Sequence, residues 1–377
     1  MSKRVAILTG GGDVPGLNMC LKSLVYRLID QGYEPIGVRK GWEGLIRYDP
    51  HSPTTYSENF IELTKNMVRP IDRTPGSFLH SSRMDPLKAP AQILPAASRK
   101  DDTPIQDSSQ HILDVIQRLD YHALVVIGDD DMLMYAAQLS QNGAPIVAIP
   151  KTIYNNIQGT DYSLGFSTGL ARGVSFIHDL RALAGSREQV IVIETFAARS
   201  GYSALLLGIL AGVDRVLIPE TPYNPQHLAD LATQDKRENP ANYAVILVTD
   251  GAHPQAIEGE AYTSLLNGSK GLSSGEVAAA LLTELTGEQA FVQQLTYLLR
   301  VGPPDGQDLL GAANFAFLAA DLVKLGRFGR MTAFVKDRMW TDVDLQLASH
   351  GPRLVDTGSM YDADLYKPRL ELIWSLA

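Results

Sequence analysis

Cysteine is nearly absent from this chain, since of 377 residues only Cys20 carries a thiol. A single thiol excludes an internal disulfide or a thiolate metal cluster and suits a reducing compartment. Cys20 is expected to be a small buried residue of the first helix. Long apolar runs are lacking too: none approaches the roughly 18 residues of a membrane-spanning helix. The first strand begins at Arg4, earlier than a secretory leader allows, so the expectation is a cytoplasmic protein without membrane association. Positive charge is also short, with 33 Lys and Arg against 42 Asp and Glu and a net charge of −9. That balance argues against nucleic-acid binding and leaves any anionic ligand to local cations and backbone amides. What remains is 45% hydrophobic and 20% charged, enough for two ordinary domains, with no internal repeat.

Short apolar runs alternate with segments of helical period. Val5–Leu8, Glu34–Val38, Ala123–Ile127, Ile146–Ile149, Val190–Ile193, Arg215–Ile218, Tyr243–Val248, Phe291–Leu299 and Met331–Val335 are expected strands, several of them continuous enough to be covered on both faces. Leu17–Ile29, His111–Leu119, Met134–Gln141, Thr168–Leu183, Tyr202–Ala211, Gly275–Leu285 and Asp308–Leu325 are expected helices. This alternation predicts an α/β class with doubly wound sheets. Residues 84–110, rich in Pro, Ala, Ser and Asp, are expected as a surface excursion, and 251–275, with Asn267–Gly271, lose periodicity.

Four places gather chemistry. Thr9–Gly10–Gly11–Gly12–Asp13 links a strand to a helix, where unpaired N–H groups and the helix dipole favour an anion; the glycines also suffice for a tight turn with no ligand. Arg83 follows Ser81 and Ser82 on a loop, where a guanidinium either reaches an anion or is simply solvated. Asp129, Asp130 and Asp131 end a buried strand, where α/β sheets place ligands, and three adjacent carboxylates invite a magnesium–phosphate partner. Finally, Pro150–Lys151–Thr152–Ile153–Tyr154–Asn155–Asn156 follows an apolar strand with a lysine, a threonine and amides but no acid.

These motifs stand in a recognisable order. Leu8-Thr-Gly-Gly-Gly-Asp-Val-Pro-Gly-Leu-Asn18, Gly76-Ser-Phe-Leu-His-Ser-Ser-Arg83, Val125-Val-Ile-Gly-Asp-Asp-Asp131, Pro150-Lys-Thr-Ile-Tyr-Asn-Asn156 and Gly159-Thr-Asp-Tyr-Ser-Leu-Gly-Phe166 together resemble the ATP- and pyrophosphate-dependent 6-phosphofructokinases, from residue 4 to about 335. The resemblance implies two doubly wound α/β domains with the active-site cleft between them. The donor-phosphate domain would hold residues 1–147 plus about 300–345, and the substrate domain 148–299 plus about 346–377. It implies donor-phosphate contacts at Gly11, Gly12, Arg83, Asp131 and Lys151, with Arg83 bridging donor and acceptor, and a magnesium ion at Asp130 if turnover occurs. Asp131 and Lys151 stand where ATP-users carry glycine, so pyrophosphate rather than ATP is the implied donor or ligand; a carboxylate there crowds a nucleotide, and an ammonium suits a compact polyanion.

The departures from the family pattern fall on the chemistry. Tyr154 and Asn156 replace the two aspartates of the catalytic loop, and neither a phenol with a pKa near 10 nor an amide is a useful base at neutral pH. Thr152, beside them, is carried over as a catalytic and substrate contact. Glu220 and Arg300 match sugar-hydroxyl and phosphate ligands, but Tyr297 replaces a phosphate-binding histidine, and Gln189 and Phe291 replace two arginines. Phe196–Ala197–Ala198 replaces Met-Gly-Arg, with Arg199 one place on. Three readings stay open: a catalytically inactive or regulatory homologue, an active pyrophosphate-dependent phosphotransferase using another carboxylate (Asp129 or Asp161) or another acceptor, and a ligand sensor. The implied partners are a phosphorylated small molecule or pyrophosphate, and further copies of this chain or an active relative in an oligomer.

Overall fold

In the computed structural model, which describes residues 3–99, 103–255, 271–337 and 339–369, Val5, Ala6, Ile7 and Leu8 are all fully buried. Successive side chains of a strand point to opposite faces, so this run must be covered on both. The strands of the two larger sheets are β1 (Arg4–Thr9), β2 (Glu34–Val38), β3 (Phe60–Glu62), β4 (Tyr121–Gly128), β5 (Ile146–Pro150), β6 (Val190–Thr195), β7 (Arg215–Leu217), β8 (Ala244–Thr249), β9 (Phe291–Gln294), β10 (Arg330–Val335) and β11 (Met339–Asp344). The longer helices are α1 (Leu17–Asp30), α2 (Ser109–Arg118), α3 (Asp130–Gln141), α4 (Phe166–Arg187), α5 (Tyr202–Ala211), α6 (Pro225–Glu238), α7 (Ser274–Thr286) and α8 (Gly306–Lys324).

The chain forms two compact units, 1–168 with 300–352 and 169–299 with 353–377. Lys151–Asn156, expected to open the second domain, is therefore carried by the first. The Lys151 N–H donates to Gly128 O at 2.9 Å, and Lys151 bridges to Leu164 in parallel fashion, which ties the loop to the first sheet.

The first unit is built on a seven-stranded sheet in the order β11-β10-β5-β4-β1-β2-β3. The five inner strands run parallel, and β3 and β11 pair antiparallel at the edges. Ala6, Leu8, Ile36, Val38, Leu124 and Val126 share one core with Trp42, Leu133 and Ala137. Helices α1 and α8 pack on each other, and Ala312, Ala316, Ala319 and Ala320 of α8 are buried, small enough to let the backbones approach. Burial contributes roughly 1.5–3 kcal/mol for each large apolar side chain. Because β1 leads to β2 on one side and pairs with β4 on the other, the strand order reverses between β1 and β4. That is where open α/β sheets bind ligands, at the carboxyl ends of the strands.

The second unit carries an all-parallel sheet in the order β9-β6-β8-β7. Its strands β6, β7 and β8 are buried throughout, and α7 opens with a capping box between Ser273 and Glu276. The α/β class is as the alternation predicts.

Several local expectations change. Phe291–Leu299 is a strand only to Gln294 and then a 3-10 turn, Thr296–Leu299, because its neighbour β6 ends one residue after Glu194, the last to pair. Strand β11 reads as irregular in sequence because aspartates interrupt it, yet Asp342 is held by Arg330 at 2.6 Å and Arg327 at 2.7 Å. The excursion at 84–110 is not all surface, since Ala89 and Leu94 join the core. The segment 267–270 and the residues beyond 369 lie outside the described residues. Cys20 is fully buried, and burial pushes its thiol up to about 12. Among the described residues no helix is long and apolar enough to cross a membrane.

Candidate functional site

Strands β1, β4 and β5 lie side by side, with Leu8 opposite Val126 and Gly128 opposite Pro150. The glycine loop, the acidic triplet and the Lys151–Asn156 loop therefore emerge together, all within the first unit. The glycine loop is braced by the loop before Arg83: Ser81 Oγ donates to Gly11 O at 2.6 Å, and Gly11 N–H to Ser82 O at 3.4 Å. Gly11 has φ 75°, and a Cβ there would overlap the Asp129 carboxylate; one on Gly12 would overlap the Arg300 guanidinium. Gly11 needs glycine for its conformation, and a side chain on Gly12 would have to push the Arg300 guanidinium aside.

Asp129 is the residue that reaches furthest. It is the N-cap of α3, where Oδ1 accepts from Met132 N–H at 3.4 Å. Its Oδ2 crosses to the neighbouring loop and accepts from Gly12 N–H at 3.2 Å. Asp130, next in the chain, is buried, and Asp131 points outward on the first turn of α3.

Lys151 is 1% exposed, and its Nζ donates to Gly12 O. Burial draws its pKa down to about 8; Asp129 and, less strongly, Asp13 oppose that drop, while Arg300 and Arg83 reinforce it. Desolvation disfavours the charged form, so this ammonium depends on its bond to Gly12 O and on the carboxylates near it.

In the same loop Tyr154 N–H donates to Thr152 Oγ1 at 3.1 Å, fixing a short turn around the buried threonine. Asn155 follows with φ 52°, a conformation that asparagine tolerates better than most residues. The Tyr154 hydroxyl accepts from Arg300, whose guanidinium lies 5.3 Å from the ring centroid and donates to Asp13 O at 3.2 Å. Asn156 Nδ2 donates to Asp130 Oδ2 at 3.1 Å, and its buried Oδ1 has no hydrogen-bond partner.

Tyr154, Asn156, Thr152, Lys151, Asp130, Gly11, Gly12 and Arg300 thus belong to one neighbourhood of the first unit, with exposed Arg83 close enough to act on Lys151. Glu220 and Tyr297 belong to the second unit. There Glu220 accepts from the N–H groups of Gly201 and Val355 at 3.0 Å each. Tyr297 is 71% exposed and meets Phe196 edge to face at 5.1 Å. Asp161 accepts from Lys336 N–H at 2.9 Å, in the service of the backbone after β10.

A family model described as phosphofructokinase matches residues 4–323. The chain belongs to the phosphofructokinase family. A pyrophosphate–fructose 6-phosphate 1-phosphotransferase of Dictyoglomus thermophilum is 31% identical over 94% of this chain and 96% of its own length. An ATP-dependent 6-phosphofructokinase of Streptomyces coelicolor is 30% identical over 88% of this chain and 90% of its own. The crystal structure of a pyrophosphate-dependent phosphofructokinase from Nitrosospira multiformis shares the fold at a TM-score of 0.77, with 16% identity, over 100% of this chain and 91% of that one. Relatives named for either donor are thus about equally similar to this phosphofructokinase-family chain.

Magnesium is the metal that the family resemblance implies, and Asp130 is the residue that would hold it, together with phosphate and water oxygens. The described residues hold no group of three or more His, Cys, Asp or Glu that could ligate a metal. At Asp130 one carboxylate oxygen, Oδ2, accepts an amide N–H from Asn156, where a second carboxylate would have offered a hard cation another oxygen. The signal for the two replacements was plain in sequence. The role of Asp129 was not: its N-cap position was readable, but its reach to Gly12 depends on β1 and β4 being neighbours.

Proposed function

We propose that this phosphofructokinase-family chain holds a compact phosphate-type anion at Gly11, Gly12, Arg83 and Lys151, with Asp131 at the edge of the site favouring pyrophosphate over the bulkier ATP. On this reading it does not transfer phosphoryl groups to a sugar phosphate. It would serve in the cytoplasm as an inactive or regulatory homologue, in an oligomer of its own copies or with an active relative. One observation carries the reading: the two positions that need carboxylates hold Tyr154 and Asn156, and both are engaged within the protein. The Tyr154 oxygen accepts from the Arg300 guanidinium, and Asn156 donates to Asp130. A neutral phenol beside a guanidinium is a poor acceptor for a sugar proton at neutral pH, and the second position offers an N–H where charge is wanted. Losing a general base costs roughly 10²–10⁴ in rate. Lys151 supports the choice of a compact anion, as do the relatives named for pyrophosphate.

The test is turnover. Purified protein with pyrophosphate, magnesium and fructose 6-phosphate should form no fructose 1,6-bisphosphate, while the double variant Tyr154→Asp, Asn156→Asp should gain measurable product. Robust turnover by the unaltered chain would instead establish an active pyrophosphate-dependent phosphotransferase and overturn the reading.

A further inference from the structure

Three groups that would draw an anion into the candidate pocket, the Gly12 N–H, the N-terminus of α3 and Lys151, already meet one carboxylate of the chain itself. Asp129 Oδ2 accepts from Gly12 N–H at 3.2 Å and lies so close over Gly11 that a Cβ there would overlap it. Its Oδ1 accepts from Met132 N–H, at the N-terminus of the twelve-residue helix α3. Of the opposite charges acting on buried Lys151, Asp129 is the strongest. The Gly11 N–H of the same loop is taken by Ser82 O. A backbone amide beside glycines, a helix N-terminus and a lysine are what a phosphate oxygen seeks.

We propose that Asp129 is a built-in occupant of this anion cradle, so that an external phosphate-type anion binds only by displacing its carboxylate. This rests on the cradle being the donor pocket proposed above and adds the residue that sets its affinity. The charges fit. The charges acting at Lys151 are those of Asp129 and Asp13 on one side and of Arg300 and Arg83 on the other, so two of the three positive charges gathered there are balanced before a ligand arrives. Asp13 Oδ1 is buried without a hydrogen-bond partner, a second acceptor that repels an anion. Removing the Asp129 charge frees the Gly12 N–H and takes away one of the two carboxylates that act on Lys151; a bound polyanion then supplies the negative charge that keeps the lysine protonated. Affinity for a compact polyanion should rise most, because the space vacated is that of a single carboxylate.

The experiment is calorimetric titration of the full chain with pyrophosphate and, separately, inorganic phosphate. Asp129→Ser keeps an oxygen able to cap α3, and Asp129→Asn keeps the shape; circular dichroism verifies that each is folded. At least one folded variant should bind pyrophosphate about tenfold or more tighter than the parent, as expected for a freed charge-assisted bond. Adding Lys151→Ala to it should remove the gain. Equal, tight binding by the parent and the variants would overturn the role of Asp129 while leaving the donor pocket standing. Absence of binding in all of them would overturn both. Tighter binding that survives Lys151→Ala would put the anion elsewhere and overturn the proposal as well.

Discussion

At Lys151 burial and charge pull in opposite directions, and burial prevails: the side chain is 1% exposed and its pKa falls to about 8. The sign of the stability effect follows from where the proton is held. Below pH 8 the lysine is charged in both states, and the folded protein bears the full cost of desolvating it. Between about 8 and the ordinary value of 10.5 the unfolded chain keeps its proton while the folded one gives it up. The unfolded state then binds more protons, so stability rises with pH through this window and levels off above it. At about 1.4 kcal/mol for each tenfold change in proton affinity, the rise approaches about 3 kcal/mol. Urea unfolding across this range should show an upward contribution in the parent that is missing in Lys151→Met. Matching pH profiles for the two proteins would refute the assignment.

Among the elements, α4 depends on a residue far away in the chain. Asp308, on the first turn of α8, is fully buried and accepts from Gly165 N–H at 2.7 Å, Thr168 N–H at 2.8 Å, Thr168 Oγ1 at 2.5 Å and the Tyr162 hydroxyl. Burial raises its pKa, against the lowering effect of these bonds. All four partners are donors, so Asp308→Asn would set an amide N–H against them. Leaving one buried donor unsatisfied costs about 1–3 kcal/mol, and a loss of about that size should appear in the denaturant midpoint; an unchanged midpoint would count against this network. Such a link, 140 residues from Thr168 to Asp308, has no local signature. By contrast Val5–Leu8 and Leu124–Ile127 were legible, because strands buried on both faces must be apolar throughout. The replacements at Tyr154 and Asn156 were legible because the surrounding motif fixes their places. Neither the commitment of Tyr154 to Arg300 nor the crossing of Asp129 to Gly12 was, since both depend on which strands are neighbours rather than on spacing. Strand β11 escaped notice for a third reason: at an edge, with every described residue at least partly exposed, it has no need of a continuous apolar run.

For the whole molecule, the placement of the candidate groups decides which unit a ligand stabilises. The seven-stranded sheet of the first unit and the four-stranded sheet of the second each bury their own strands. Gly11, Gly12, Arg83, Asp131 and Lys151 all belong to the first. A ligand that binds only folded protein stabilises what it touches by mass action, about 2.7 kcal/mol at a hundredfold excess over its dissociation constant. Units with separate cores can unfold in separate steps, so the thermogram should resolve more than one transition. Saturating pyrophosphate should then raise the melting temperature of the transition belonging to the first unit, identified by Asp308→Asn, which lowers it selectively. The transition of the second unit should stay where it is, and Lys151→Ala should abolish the shift. A shift confined to the second unit, or one that persists in Lys151→Ala, would show that pyrophosphate binds outside the neighbourhood of the glycine loop.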